Sequence, residues 1–316
     1  MTGSPRIAGP LALFDRAIVR ALPAIPRPII RRISERYIAG TTLADACRVV
    51  EELNAEGKMA TIDVLGEETK SRRETLDFVR AYHDVFEAIE RERLDSNVSV
   101  KLTALGLNLA YELCRKNLET VVRHAAESGN FVRIDMEDSS TTSDTIELYR
   151  ELREQGLDNV GVVFQAYLRR TIRDIRALAP LRPNVRLCKG IYIEPPLIAY
   201  RDFEAVRANF VLCLRELLHA GCYVSIATHD EWLISEGLRL VAEHRLEREQ
   251  YEFQMLLGVR EAGGNRLVRD GHRLRVYVPF GRHWYSYSVR RLQENPKIAG
   301  YIAGDTLNRL FGADGR

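Results

Sequence analysis

No charge of one sign dominates this 316-residue sequence: 46 Lys and Arg stand against 44 Asp and Glu, a formal net charge of +2. That balance gives no footing to nucleic-acid binding, which needs a strongly basic domain. No run of 18 uninterrupted apolar residues occurs, so no membrane span is expected. No signal peptide is expected either, because Asp15, Arg16 and Arg20 break the only apolar candidate near the N-terminus. Cysteine is sparse. The five, at positions 47, 114, 188, 213 and 222, are odd in number and form no Cys-x-x-Cys pair. A disulfide framework and a zinc knuckle are therefore not expected, and a reducing compartment fits. The Gly-x-Gly-x-x-Gly fingerprint, the Gly-x4-Gly-Lys-Ser/Thr loop, His-Glu-x-x-His and Gly-x-Ser-x-Gly are all absent. A hydrophobic content of 46% argues against disorder.

What is present begins with a distinct N-terminal stretch, residues 1–40. Residues 10–23 read as a short amphipathic helix, Pro26 and Pro28 break it, and 29–39 read as a second helix. Arginines at 16, 20, 27, 31 and 32 face a single acid, Asp15. Such an arm either packs on the main domain, the commoner fate of an amphipathic helix, or lies on an anionic membrane surface. The domain reading is an arm over 1–40 and a main domain over 41–316.

In the main domain, β-rich runs alternate with helical patterns. The runs are 61–65, 98–103, 131–136, 160–166, 185–189, 223–228, 251–256 and 274–278. Their spacing of about 31 residues is one βαβ step. Eight such steps in some 250 residues predict an α/β fold, a (β/α)8 barrel of the TIM type. An open doubly wound sheet is the structural alternative. Apolar residues at 76, 79, 82, 86 and 89 predict a helix within 69–92. Ser143 is expected just ahead of another helix, and Gly129, Gly156 and Gly221 stand where helices should stop.

In a parallel barrel the site lies at the C-terminal strand ends. Those ends carry Lys101 and Thr103, then Arg133, Asp135, Glu137 and Asp138, then Gln165 and Tyr167. They continue with Arg186 and Lys189, Thr228 to Asp230, Glu252 and Gln254, and Arg275 and Tyr277. Strands buried on both faces should read as continuous Val/Ile/Leu runs. Buried ions must pair with each other or with a ligand. Any one of them is equally served by an internal ion pair, Lys101 with Asp135 for example; convergence of so many points to a ligand. Lysines and arginines interleaved among Asp135, Glu137, His229 and Asp230 disfavour a metal. Near the C-terminus Tyr287, Arg290, Arg291 and Glu294 fall on one helical face. Paired arginines flanked by aromatics suit a carboxylate, or else form a solvated basic face.

The strand-end motifs together resemble proline dehydrogenase, the flavin-dependent enzyme of proline catabolism. They run in family order over about residues 58–296. The first are Ser99-Val-Lys-Leu-Thr-Ala-Leu-Gly106, Val132-Arg-Ile-Asp-Met-Glu-Asp-Ser139 and Val160-Gly-Val-Val-Phe-Gln-Ala-Tyr-Leu168. Asn184-Val-Arg-Leu-Cys-Lys-Gly-Ile-Tyr192, Ala227-Thr-His-Asp230 and Glu252-Phe-Gln-Met-Leu256 follow. Val276-Tyr-Val-Pro-Phe-Gly281 and Tyr287-Ser-Val-Arg-Arg291 complete the set. The length is similar to the monofunctional bacterial form.

The resemblance implies a barrel that holds FAD without a Rossmann fold. It implies oxidation of L-proline to Δ1-pyrroline-5-carboxylate, the first step of proline degradation to glutamate, by hydride transfer from C5 to flavin N5. Electrons would pass on to a quinone. It implies that Lys101, Arg290 and Arg291 hold the proline carboxylate, with Glu294 pairing the arginine face, and that Tyr277, Tyr287 and Leu257 wall the ring. Asp135 and Met136 would lie beside the flavin, Gln165 and Arg186 against its isoalloxazine, Arg186 near N5. Asp135 and Arg186 are the catalytic expectations. Lys189, Gly190, Ile191 and Tyr192 would run along the cofactor, and Thr228 and His229 would meet its adenosine or phosphate part. Ile191 replaces a usual alanine and Cys188 a usual valine. Tyr277 crowds a ring hydroxyl, which favours proline over hydroxyproline. The expected location is the cytoplasm, with the arm on the inner face of the membrane as one of its two fates. Two rival readings remain at this stage: a Schiff-base aldolase using Lys101 or Lys189, and a non-catalytic barrel that binds an amino acid or a partner.

Overall fold

A computed structural model describes residues 36–66, 69–285 and 287–288. The chain divides into two compact units, Ala39–Arg282 and the pair Met1–Ile38 with His283–Arg316. The N-terminal arm, apart from its last few residues, lies outside the described residues, as do Arg290, Arg291 and Glu294.

Ala39–Arg282 is a closed barrel of eight parallel strands in chain order. Helix α1 (Leu43–Ala55) precedes β1 (Met59–Val64). Then come α2 (Arg72–Glu92), β2 (Ser96–Val100), α3 (Tyr111–Glu127), β3 (Val132–Ile134), α4 (Thr142–Glu154) and β4 (Val160–Gln165). The chain continues through α5 (Thr171–Leu178), β5 (Asn184–Cys188), α6 (Phe203–His219), β6 (Tyr223–Ala227), α7 (Glu231–Glu243), β7 (Tyr251–Leu256), α8 (Glu261–Arg269) and β8 (Leu274–Phe280). β1 closes the ring on β8, Met59 opposite Arg275 through Val64 opposite Phe280. All eight expected strands are present, and the doubly wound alternative is excluded by that closure.

The strands alternate strictly. Ile62, Val98, Val132, Val162, Leu187, Ile226, Phe253 and Val278 are wholly buried in one apolar cluster with the helices. The intervening residues point inward and are largely polar, Asp63, Ser99, Arg133, Arg186, Glu252 and Arg275 among them. Arg186 of β5 bonds Ser99 of β2 and Gln254 of β7, strands that are not its neighbours, so the contacts cross the barrel interior. That inverts the usual barrel, whose inner layers are branched aliphatics. It also explains why the strands depart from continuous apolar runs: only their outer phase meets helices.

Helix starts follow from local chemistry. Thr42 and Asp45 form a reciprocal capping box on α1. Ser71 caps α2 and Asp202 caps α6. Gly129, Gly156 and Gly221 have positive φ just past α3, α4 and α6, as expected. Two details differ. Ser143 lies inside α4, which begins at Thr142 without a side-chain cap. Leu76 is 48% exposed, because the inward stripe of α2 runs through Thr75, Val79, Tyr82, Phe86 and Ile89 instead.

Candidate active site

The C-terminal mouth of the barrel gathers a connected charged network. Lys101, the residue after β2, donates to Asp63 Oδ1 of β1 at 2.7 Å and to the Tyr277 hydroxyl at 3.3 Å. Its distance to Asp135 Oδ2 is 3.8 Å. Asp135, just past β3, accepts from Arg186 Nη1 at 2.5 Å and from the Tyr277 hydroxyl at 3.1 Å. The Arg186 guanidinium also lies over the Tyr277 ring, 5.4 Å from its centroid. Thus Lys101, Asp135, Arg186 and Tyr277, drawn from four strand ends, form one unit.

Asp63 was not among the sequence candidates. Its signal was available: it occupies the inward phase of β1, two residues after Thr61. Burial raises its carboxyl above the ordinary range, Lys101 opposes that shift and the charge of Asp135 adds to it. Lys101 Nζ lies between two carboxyl groups, 2.7 Å from Asp63 and 3.8 Å from Asp135. An imine-forming lysine must be neutral, so this placement disfavours the aldolase reading.

Gln165, at the end of β4, donates through Nε2 to the carbonyls of Met136 and Glu137 at 3.1 and 3.2 Å. Its Oε1 is buried without a hydrogen-bond partner. Met136 itself is buried in the core cluster. Glu137 accepts from the Thr103 backbone and hydroxyl, which ties the loops after β2 and β3 together.

A second cluster forms after β5 and β6. Lys189 Nζ lies 3.4 Å from Asp230 and 5.1 Å from the centre of the Phe203 ring. Arg207 of α6 grips the same carboxylate with Nε and Nη2 at 2.9 and 2.8 Å. Burial opposes ionisation of Asp230, but Arg207 and Lys189 outweigh it and hold the carboxyl below its usual range. The Thr228 hydroxyl accepts from the Asp230 N–H, and His229 Nε2 accepts from the Leu256 N–H at 2.9 Å. That bond assigns the His229 proton to Nδ1 in its neutral form. Gly190 has φ +103°, and a Cβ there would stand 2.0 Å from the Tyr167 ring, so only glycine fits. Ile191 is 37% exposed and Tyr192 is partly exposed on the strap that follows. Cys188 turns its thiol to the Phe164 carbonyl, which accommodates the departure from valine.

Leu257 borders a cavity of about 210 Å³ together with Leu256, with Val49 and Leu53 of α1 and with Val276 of β8. Leu256 is the register partner of Tyr277 and continues the alternation set by Glu252 and Gln254. Tyr287 is buried and belongs to the other compact unit. Glu252 and Arg275, collected with the strand-end residues, pair with each other at 3.1 Å deep in the interior.

Comparison with known proteins agrees with this geometry. The family model for proline dehydrogenase matches residues 46–303. Proline dehydrogenase 1 of Bacillus subtilis (strain 168) is 38% identical over 276 residues, 87% of this chain and 91% of that protein. Proline dehydrogenase of Deinococcus radiodurans is 36% identical over 279 residues, covering 87% and 90%. Among solved structures, proline utilization A (PutA) from Bdellovibrio bacteriovorus, inactivated by N-propargylglycine, superposes with a TM-score of 0.80 at 25% identity. The match takes in 95% of this chain but only 38% of that much longer protein.

Proposed function

The chain belongs to the proline dehydrogenase family, and from that membership we propose that it oxidises L-proline to Δ1-pyrroline-5-carboxylate with FAD, passing electrons to a quinone. The observation that carries the reading is the single network of Lys101, Asp135, Arg186 and Tyr277 at the C-terminal mouth.

The residues fit a flavin. Gln165 Oε1 is a buried acceptor with no partner, and the flavin ring carries an imide N–H that can satisfy it. Asp135, Met136, Gln165 and Arg186 would hold the ring. Lys189, Gly190, Ile191, Tyr192, Thr228 and His229 would hold the remainder, where the Lys189 and Arg207 cations favour phosphate. Bound FAD supplies the hydride acceptor, its N5, for the hydrogen on proline C5.

The chain's own residues then have defined tasks. Lys101, Arg290 and Arg291 hold the carboxylate and orient C5, a contribution of several kcal/mol from positioning alone. Tyr277, Tyr287 and Leu257 wall the ring, joined by Leu256, the register partner of Tyr277. The same cations disfavour an ammonium beside them, so the amine loses its proton on binding without a dedicated base. Arg186, held beside the ring by Asp135, would stabilise negative charge on a bound flavin. The bulk of Tyr277 selects proline over hydroxyproline. We assign the enzyme to the cytoplasm, with the basic arm as a peripheral contact to the inner face of the membrane.

The test is the visible spectrum of the purified protein before and after anaerobic L-proline. A flavin spectrum that bleaches is expected. A flavin that stays oxidised would move the substrate elsewhere. A colourless protein that FAD does not reconstitute would overturn the reading.

A further inference from the structure

Arg186 is anchored on three sides. It donates to Asp135 Oδ1 at 2.5 Å, to Ser99 Oγ at 3.0 Å and, through Nε, to Gln254 Oε1 at 2.5 Å. Three acceptors around a planar guanidinium fix its plane as well as its position. Gln254 is the ambiguous anchor, since half a turn of its amide would put NH2 against the guanidinium, donor against donor.

Glu252 removes that ambiguity. Its Oε1 accepts from Gln254 Nε2 at 2.5 Å. A carboxylate accepts only, so it admits the NH2 end of the amide and leaves the oxygen for Arg186. Glu252 is kept ionised. Burial pushes its carboxyl up, but Arg275, Gln254, Arg133 and Ser225 outweigh that and hold it at about 2. Arg275 Nε lies 3.1 Å from both of its oxygens, Ser225 donates at 2.9 Å and Tyr223 at 3.0 Å. Arg275 is in turn fixed to the barrel wall by the Ala60 carbonyl at 2.6 Å. Glu252 and Gln254 are 2% and 5% exposed, so little solvent competes for the bond between them.

We propose that Glu252, acting through the side-chain amide of Gln254, is a positioning residue that aims the Arg186 guanidinium at the reacting end of the bound flavin. This rests on the FAD reading above. Neither residue touches substrate. Without the Gln254 acceptor, Arg186 keeps Asp135 and Ser99 and turns toward the carboxylate, which draws its charge away from the ring.

Gln254→Met removes both bonds at similar volume. The expected result is full flavin content, a KM for proline within twofold of wild type and a kcat about tenfold lower. Sulfite, which leaves negative charge on the flavin when it binds, is expected to bind about tenfold more weakly. A wild-type kcat and sulfite affinity in flavin-loaded Gln254→Met would overturn the proposal while leaving the functional reading intact. A wild-type chain that takes up no flavin would overturn both.

Should Gln254→Met not fold, Gln254→Glu decides. It offers the same two bonds only while it holds a proton, and two touching carboxyls share one to well above the ordinary range. Sulfite affinity of Gln254→Glu is expected near wild type at pH 6 and several-fold weaker relative to wild type at pH 9. A ratio that does not change with pH would overturn the proposal.

Discussion

Asp63 and Lys101 are 2.7 Å apart, with side chains 0% and 5% exposed, so neither charge has water as an alternative partner. Removing one member of such a pair strands the other. Lys101→Met is expected to destabilise the protein by about 3 kcal/mol, read from urea unfolding, because it leaves the Asp63 and Asp135 carboxyls without their cation. A loss below about 1 kcal/mol would mean that Asp63 takes up a proton in its place. The carboxylate clamp makes a different prediction, because it acts on substrate and not on the core. Arg291→Met should raise the KM for L-proline about 100-fold, the worth of a charge-assisted bidentate contact of about 3 kcal/mol. Flavin content should not change. An unaltered KM would take Arg291 out of the carboxylate assignment.

The loop between β5 and α6 shows how elements cooperate around the site. It carries Lys189, Gly190, Ile191 and Tyr192, and Glu194 pins it. The Glu194 carboxylate accepts from the Ser139 N–H and hydroxyl, both at 2.7 Å, on the loop after β3. Arg201 holds the Glu194 carbonyl, and Arg169 holds that of Pro196. Cutting one staple should loosen the strap without unfolding the barrel. Glu194→Ala is expected to speed limited proteolysis within 190–202 at least fivefold, measured against an unchanged melting temperature. Equal cleavage rates would show that Arg169 and Arg201 suffice. The strap also marks where sequence reading ran out. Strands were legible because their outer phase must be apolar, and Tyr251–Leu256 matched to the residue. The network of Lys101, Asp135, Arg186 and Tyr277 was legible because buried charge in a parallel strand needs a reason. Asp63 escaped notice because it lies within β1 and not past its end, where site residues were sought; the pairing of β1 with β2, Asp63 opposite Ser99, brings it 2.7 Å from Lys101. One residue past a strand end, a single step in sequence changes which side of the wall a side chain meets, so sequence alone does not separate Leu256 from Leu257. Loop-to-loop staples such as Glu194 with Ser139 join residues 55 apart and have no periodicity to betray them.

At the scale of the whole molecule, two properties separate arm from barrel. No helix among the described residues is long and apolar enough to cross a membrane. The arm, with arginines at 16, 20, 27, 31 and 32, is the proposed contact. The full chain is expected to float with vesicles rich in anionic lipid, and a version beginning at Thr41 to stay behind; equal flotation would remove the arm from that role. The barrel's acid limit follows from its polar interior. Glu252 has its carboxyl lowered from 4.5 to about 2 in the folded protein. A depressed carboxyl stabilises the fold fully above the unfolded value and loses that contribution as pH falls from about 4.5 toward 2. Asp63 works in the opposite sense, since burial raises its carboxyl and protonation relieves the folded state. Glu252 with its arginine, and Asp230 with Arg207, therefore contribute to the descent of stability with acid, and the buried acid at the mouth does not. Unfolding free energy measured from pH 5 to pH 3 should fall steeply in the wild type and less steeply in Glu252→Gln, whatever the absolute stability of the variant. Parallel slopes would place the acid sensitivity outside the barrel's inner column.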